Sequence, residues 1–167
     1  MMEKKLSRRV VTCSVAIAAT PARTFEALIH PHDLKRWWGV KEAVIAPQKG
    51  GTWTLGWHAF GQDNFYVTSA SVERIAANEE LRLRNVMGFR PDMKPFGPMR
   101  LTFLLKKRGE ETIVTVRQIG HGTGKRWDWY FRAIEEGWQE SLWNLKKYLE
   151  RKARRRKARV SRQAKRK

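Results

Sequence analysis

Four histidines, a lone cysteine and a few helical carboxylates are the side chains of this 167-residue chain with the chemistry for acid–base, nucleophilic or metal work. His30 and His32 stand two apart, but neither a cysteine nor a carboxylate cluster accompanies them, so the pattern predicts no metal. His58 falls on the polar side of an alternating run and reads as solvated. His121 lies in the loop Gly120–Gly124, just before a long helical pattern and at the expected mouth of any cavity that helix covers. Its intrinsic pKa suits proton transfer, which makes His121 the candidate acid or base; the plainer reading is a surface-loop histidine. The run Gly120-His121-Gly122-Thr123-Gly124-Lys125 has the glycines of a phosphate loop. Arg126 follows the lysine where Ser or Thr is required, so it is rejected as one. Glu135, Glu136 and Glu140 fall on the solvated side of the helix, with Arg132 one turn before Glu136, which leaves no paired-carboxylate site. Cys13 sits in an apolar, strand-like run and reads as a buried thiol. A single cysteine excludes an internal disulfide and fits a reducing compartment. None of these residues calls for a cofactor.

The stronger signals are aromatic and cationic. In Thr52–Ala59, Trp53, Leu55 and Trp57 alternate with Thr52, Thr54 and Gly56, which gives a strand with one aromatic face. Trp127, Phe131, Ile134, Trp138, Leu142, Leu145 and Leu149 recur in steps of three and four and share one face of a helix. Trp53, Leu55, Trp57, Phe103, Phe131 and Trp138 are candidates for packing one by one, and together for the lining of a ligand pocket. Crowded indoles need partners for their N–H groups, and pocket water or a ligand would supply them. Gly137, inside the helix, costs about 1 kcal/mol against Ala and marks a close approach of backbone or ligand. Beyond Leu149 the helical register runs into Arg151–Lys167, which holds eleven Lys/Arg and no acidic residue. Of the net charge of +19, that segment carries +11 and residues 1–150 carry +8. Arg154, Arg155, Arg156, Lys157 and Arg159 are its candidate contacts with nucleic acid or another polyanion.

Local pattern supplies the elements that position these residues. Val11, Cys13, Val15 and Ile17 alternate with Thr12, Ser14, Ala16 and Ala18 as a first strand. Thr20-Pro21 opens a short helix carrying Phe25, Leu28 and Ile29. His30-Pro31 breaks it, and a second helix runs from about His32 to Trp38. Strands are expected at Ala43–Ala46, Thr52–Ala59, Phe65–Ile75, Leu81–Met87, Met99–Lys107 and Thr112–Ile119. Turns fall at Gly50-Gly51, Gly61-Gln62-Asp63-Asn64, Ala77–Glu80 and Arg108-Gly109-Glu110-Glu111. Phe89–Pro98, with three prolines, reads as an irregular loop. The class is α+β: a curved antiparallel sheet gripping a long C-terminal helix, with two short helices after the first strand. One domain spans 1–150, and 151–167 forms a tail that is disordered or a frayed extension of the helix. No segment approaches the ~20 apolar residues of a membrane span.

One ordered series is more specific: Thr20-Pro21 with Phe25 and Leu28; Pro31-x-x-Leu34-x-x-Trp37-Trp38; Gly50-Gly51-Thr52-Trp53; Val72-Glu73-Arg74-Ile75 with Leu81; and Gly137-Trp138 with Leu142, Leu145 and Leu149. Over about residues 8–150 it resembles the START-like helix-grip superfamily (SRPBCC), in the branch named after the activator of the heat-shock-protein-90 ATPase. The resemblance implies a hydrophobic cavity between sheet and C-terminal helix, in a superfamily whose members bind lipids, polyketides, sterols or small aromatic molecules. A minority are cyclases, hydrolases or chaperone cofactors. The Pro-rich Phe89–Met99 and the basic tail depart from the pattern.

The leading expectation is a non-enzymatic binding or carrier domain for a small hydrophobic or aromatic molecule. The alternatives are a chaperone cofactor or interaction module, and an enzyme acting through His121. The tail adds nucleic acid or an acidic protein surface as a partner. The basic Met1–Arg9 and the apolar Val10–Ala19 imitate a secretory signal, but the alternation favours a strand, so the protein is expected to keep its N-terminus and to stay in the cytoplasm. Intact-mass measurement on protein from its own host checks this: the full chain is expected, and a product beginning near Ala22 or Thr24 would contradict it.

Overall fold

The computed structural model describes residues 9–58 and 65–166, leaving aside the side chain of residue 152. The chain starts with strand β1 (Val10–Ile17), then helices α1 (Pro21–Ile29) and α2 (Pro31–Trp37). Six strands follow as a meander: β2 (Glu42–Ile45), β3 (Thr52–Trp57), β4 (Tyr66–Ala76), β5 (Glu80–Arg90), β6 (Met93–Arg108) and β7 (Glu111–Ile119). Helix α3 (Lys125–Ala164) ends the described chain. The seven strands form one antiparallel sheet in the order β1-β7-β6-β5-β4-β3-β2. The meander pairs neighbours, and β1 returns to the far edge beside β7, in register from Val10↔Ile119 to Ile17↔Thr112. The expected α+β sheet-and-helix architecture is therefore present. Ala59 and the turn expected at Gly61-Gln62-Asp63-Asn64 lie outside the described residues.

Period-two alternation decides which side chains enter the core. Leu101, Phe103 and Leu105 on β6 and Val114 and Val116 on β7 are buried, while Arg100, Lys106 and Arg117 between and beside them are exposed. One face of the sheet is thus apolar and has to be covered. Residues Trp138, Leu142, Leu145 and Leu149 of α3 cover it, each nearly or fully buried.

The short helices begin as their sequences require. The Thr20 hydroxyl accepts the Arg23 N–H at 3.2 Å, with Pro21 in the first turn. Pro31 opens α2 directly after α1 closes. An ionic clamp ties both helices to α3. The Arg23 guanidinium donates to both oxygens of buried Asp33, at 2.9 and 2.6 Å, and Tyr148 of α3 donates its hydroxyl to the same carboxylate. At the sheet edge Lys146 donates to the Ala16 carbonyl at 2.7 Å and to Glu150 at 2.8 Å, and Glu150 accepts the Ala18 N–H at 3.1 Å.

Phe89–Pro98 is a correction. It is the far end of the β5–β6 hairpin, paired at Gly88↔Phe96 and Arg90↔Met93. Its prolines are accommodated because the ladder shifts register between Val86, Gly88 and Arg90, so Pro95 and Pro98 owe it no N–H. Phe96 supplies the reason to fold back, being fully buried and stacked on Tyr130 with ring centroids 4.1 Å apart. Residues 151–164 continue α3 as helix, with nearly all their described side chains exposed.

The clamp yields a test. Asp33→Ala removes the acceptor of three hydrogen bonds and leaves the Arg23 guanidinium only its 3.6 Å ion pair to exposed Glu26, so chemical denaturation should show a loss of about 3 kcal/mol.

Candidate functional site

Five tryptophans, from the end of α2, from β3 and from α3, converge where α3 crosses the sheet. Trp38, just after α2, stacks on Trp37 at 4.7 Å, meets Trp57 edge-on at 5.3 Å, and lies 5.3 Å from Trp138 and 6.0 Å from Trp53. Beside them is a cavity of about 150 Å³. The sheet contributes Trp53, Trp57, Tyr66, Thr68, Val86, Leu101 and Gln118 to its lining; α3 contributes Tyr130, Ile134, Gly137, Trp138 and Ser141; Trp38 completes it. No charged side chain is among them.

The indole N–H groups do not wait for a ligand. Trp38 donates to Ser141 Oγ at 2.7 Å, Trp138 to Gln118 Oε1 at 2.8 Å, Trp57 to the Trp38 carbonyl at 3.1 Å, and Trp53 to the Leu28 carbonyl at 3.1 Å. The expectation that pocket water or ligand would satisfy them is corrected: protein acceptors already do, which fixes the rings around the space. The loose polar element is the phenol pair Tyr66 and Tyr130, whose hydroxyls are 3.5 Å apart. Gly88 lies beneath it, where a Cβ would come within 3.1 Å and 3.2 Å of the two oxygens, so glycine lets both phenols approach. Burial, reinforced by neighbouring Tyr66, pushes the Tyr130 hydroxyl far above its ordinary pKa. It therefore stays protonated, hydrogen-bonded both to Tyr66 and to the Gln118 side chain.

Of the residues singled out from sequence, Trp53, Trp57 and Trp138 line this cavity. Leu55 and Phe103 are fully buried; Phe103 backs the cavity wall, edge-on to Trp138 at 5.6 Å. Phe131 belongs to a second aromatic group at the start of α3, where its ring lies 5.3 Å from His121. The structure does not bring these three into the lining. Gly137 does line it, and a Cβ there would meet nothing within 4 Å, so the expected close approach of backbone is replaced by open space. Sequence reasoning missed Trp38, Tyr66, Tyr130 and Gln118. Gln118 was detectable, since it continues the inward series Val114 and Val116 with a polar residue. Tyr130 precedes Ile134 and Trp138 by four and eight positions, on the same helical stripe.

His121 is not a surface residue: 1% of it is exposed, and it does not line the cavity. Its ring lies against Trp127, Tyr130 and Phe131, and its Nδ1 is 3.5 Å from the Arg9 carbonyl. Gly122 is what allows this closure, because a Cβ there would lie 2.2 Å from the Trp127 indole nitrogen. Nε2 is buried without a partner among the described residues. Burial holds the imidazole below its usual pKa, the Arg9 charge adding to the effect, so it is a neutral packing group. His58 is exposed and follows the strand with φ of 64°. Cys13 is half-buried, and burial raises its thiol pKa, with Glu135 adding to it. Among the described residues no group of three or more His, Cys, Asp or Glu is placed to hold a metal ion, and no helix is long and apolar enough to cross a membrane. Arg154, Arg155, Arg156, Lys157 and Arg159 are exposed on the last turns of α3.

A curved antiparallel sheet closed on one long helix over an aromatic cavity defines a START-like helix-grip protein. Residues 18–150 match the model of the family described as "Activator of Hsp90 ATPase homolog 1-like protein", and the chain belongs to that family. No curated protein matches the sequence. Solved structures share the fold. A protein from Mesorhizobium loti superposes with a TM-score of 0.68 at 19% identity, over 86% of this chain and 98% of that one. The Aha1 dimer from Colwellia psychrerythraea gives 0.66 at 19% identity, over 84% and 96%. A protein from Nitrosomonas europaea gives 0.70 at 16% identity, over 91% and 99%.

His121 makes stability pH-dependent in a known direction. Its folded pKa lies below the ordinary 6.5, so below that pH the unfolded chain takes up a proton that the folded chain refuses. The contribution is complete above 6.5 and is lost as pH falls from there through the folded pKa. Between about pH 7 and about pH 5, wild type should lose more stability than His121→Leu, measured by denaturant unfolding at each pH.

Proposed function

We propose that the protein binds a small, neutral, largely aromatic molecule in the cavity between sheet and α3. The observation that carries this reading is an uncharged space of about 150 Å³ walled by Trp38, Trp53, Trp57 and Trp138. That is the size of an engineered apolar cavity known to take up benzene. An ionised ligand would be stripped of water with no charged side chain among the described lining residues to pair it, so a neutral one is selected. The phenol pair adds a preference: its O–H groups favour a ligand with one hydrogen-bond acceptor, such as a carbonyl or ether oxygen. Carriage rather than catalysis fits a site from which the candidate imidazole, His121, is sealed off. A single cysteine, Cys13, which has no partner in the sequence for an internal disulfide, supports a reducing compartment such as the cytoplasm.

Acetophenone, which is neutral and aromatic with one carbonyl, is a suitable probe. It should quench or shift tryptophan emission saturably, while benzoate should bind at least tenfold more weakly. Tyr130→Phe should cost acetophenone about 1 kcal/mol of binding and leave benzene unaffected. Gly137→Ala fills cavity space and improves helix propensity, so it should raise stability by about 1 kcal/mol while weakening acetophenone. Gly137→Leu should abolish binding. Unchanged affinity in Gly137→Leu would remove the cavity as the site.

A second reading concerns the far end of α3, where exposed Arg154, Arg155, Arg156, Lys157 and Arg159 stand without an acidic residue beyond Glu150. Attachment to nucleic acid through phosphates alone suits this composition, with an acidic protein surface as the alternative. Engaging about six phosphates, the full chain should lose affinity by about 10³ between 50 and 200 mM salt. Exchanging the five residues for Gln should remove binding without moving the midpoint of the domain's thermal unfolding.

A further inference from the structure

We propose that the groove between α2 and α3 is a phosphate site that seats a nucleic-acid backbone against the folded domain, formed by Arg36, Lys147, Arg151 and Arg155. It rests on the reading that the cationic end of α3 meets a nucleic acid, and it extends that contact from the last turns of the helix into the body of the protein.

The groove has a volume of about 370 Å³, and four of its lining residues are these cations. Asn144, Tyr148 and Trp37 are the other described lining residues, and none of the described lining residues is a carboxylate. Asp33 of α2 is buried and held by Arg23 and Tyr148, so it is not presented to the groove as a counter-charge. All four cations are exposed, and none makes a hydrogen bond or ion pair among the described residues. Four positive groups around one concavity, from two separate helices and without a partner, is an unfavourable arrangement that an anion relieves.

Their spacing points to a repeated anion. Lys147, Arg151 and Arg155, continued by Arg159, follow each other at intervals of four on α3. A rise of 1.5 Å per residue separates them by about 6 Å along the axis. Like charges at i and i+4 destabilise a helix, so this stripe works against its own element until phosphates lie along it. A membrane surface fits less well. Beyond Glu150 the helix carries cations all round and one large aliphatic, Val160, whereas a surface-bound helix needs an apolar face. Base readout is not implied: the stripe itself carries no aromatic side chain, Trp37 at its flank is buried, and Tyr148 is tied by its hydroxyl to Asp33.

Fluorescence anisotropy of the full chain with a short labelled mixed-sequence DNA duplex, between about 50 and about 200 mM salt, tests the assignment. Arg36→Gln and Lys147→Gln lie outside both the aromatic cavity and the cationic segment beyond Glu150, and acetophenone affinity reports on their folding. Each should reduce the slope of log affinity against log salt by about 1, the pair by about 2, equally for unrelated sequences. If the five Gln substitutions beyond Glu150 abolish duplex binding while Arg36→Gln and Lys147→Gln leave the slope unchanged, the groove is not the site and the contact is confined to the helix end. Absence of duplex binding by wild type at the lower salt would remove both readings. Sensitivity to Arg36→Gln and Lys147→Gln on phosphatidylserine vesicles but not on duplex would overturn the choice of partner.

Discussion

An antiparallel sheet with one apolar face has to be covered, and here the cover is fastened through Trp38. Its ring stacks on Trp37 and meets Trp57, Trp53 and Trp138. Its N–H reaches Ser141 of α3, and its carbonyl accepts the Trp57 N–H. One residue thus joins α2, β3 and α3 through its ring, its N–H and its carbonyl. Aromatic rings are rigid and cannot fill every gap between them, so a hub of five indoles leaves a space beside itself. Hydrogen bonding of each indole to protein then stops the rings from rotating to close it. The cavity follows from how the cover is attached.

Electrostatics divide the molecule in the same economical way. The described lining of the cavity is uncharged, and buried Asp33 at the helix junction is paired with Arg23 and accepts the Tyr148 hydroxyl. Helix α3 runs through both regimes: its first half presents Tyr130, Ile134, Gly137 and Trp138 to the cavity, and its end presents arginines and lysines to water. Gly137 is the position where the first role outweighs helix propensity. A second aromatic group, Phe96 with Trp127, Tyr130, Phe131 and His121, anchors the start of the helix and leaves the Trp38 side free to form the cavity.

Much of this was legible in the chain because it depends on periodicity. Alternation marked β1 and β3, three–four steps marked α3, and Thr20-Pro21 marked the start of α1. The hairpin at Phe89–Pro98 was not legible, because its prolines sit where the ladder shifts register and buried Phe96 overrides their local preference. Three of the six proposed lining residues, Trp53, Trp57 and Trp138, face the cavity. Leu55 and Phe103 share their phase but lie deeper in the core, and Phe131, about 100° around α3 from Tyr130, packs on His121 instead. Trp38 and Tyr66 were beyond a single-element reading, since their place in the wall comes from the way α2 and β4 are brought to α3. His121 was misjudged for a related reason: a glycine-flanked loop reads as exposed until Gly122 is seen to admit the Trp127 ring.

Whether the space beside Trp38 accepts a neutral aromatic guest can be observed directly. An X-ray structure of the full chain equilibrated with bromobenzene would locate the guest through the anomalous signal of its bromine. The expected result is one strong peak between sheet and α3, in van der Waals contact with Gly137 and the Trp38 ring, with the indole hydrogen bonds intact. A filled or collapsed space with no bromine in it, or bromine found at the surface and not there, would contradict the account.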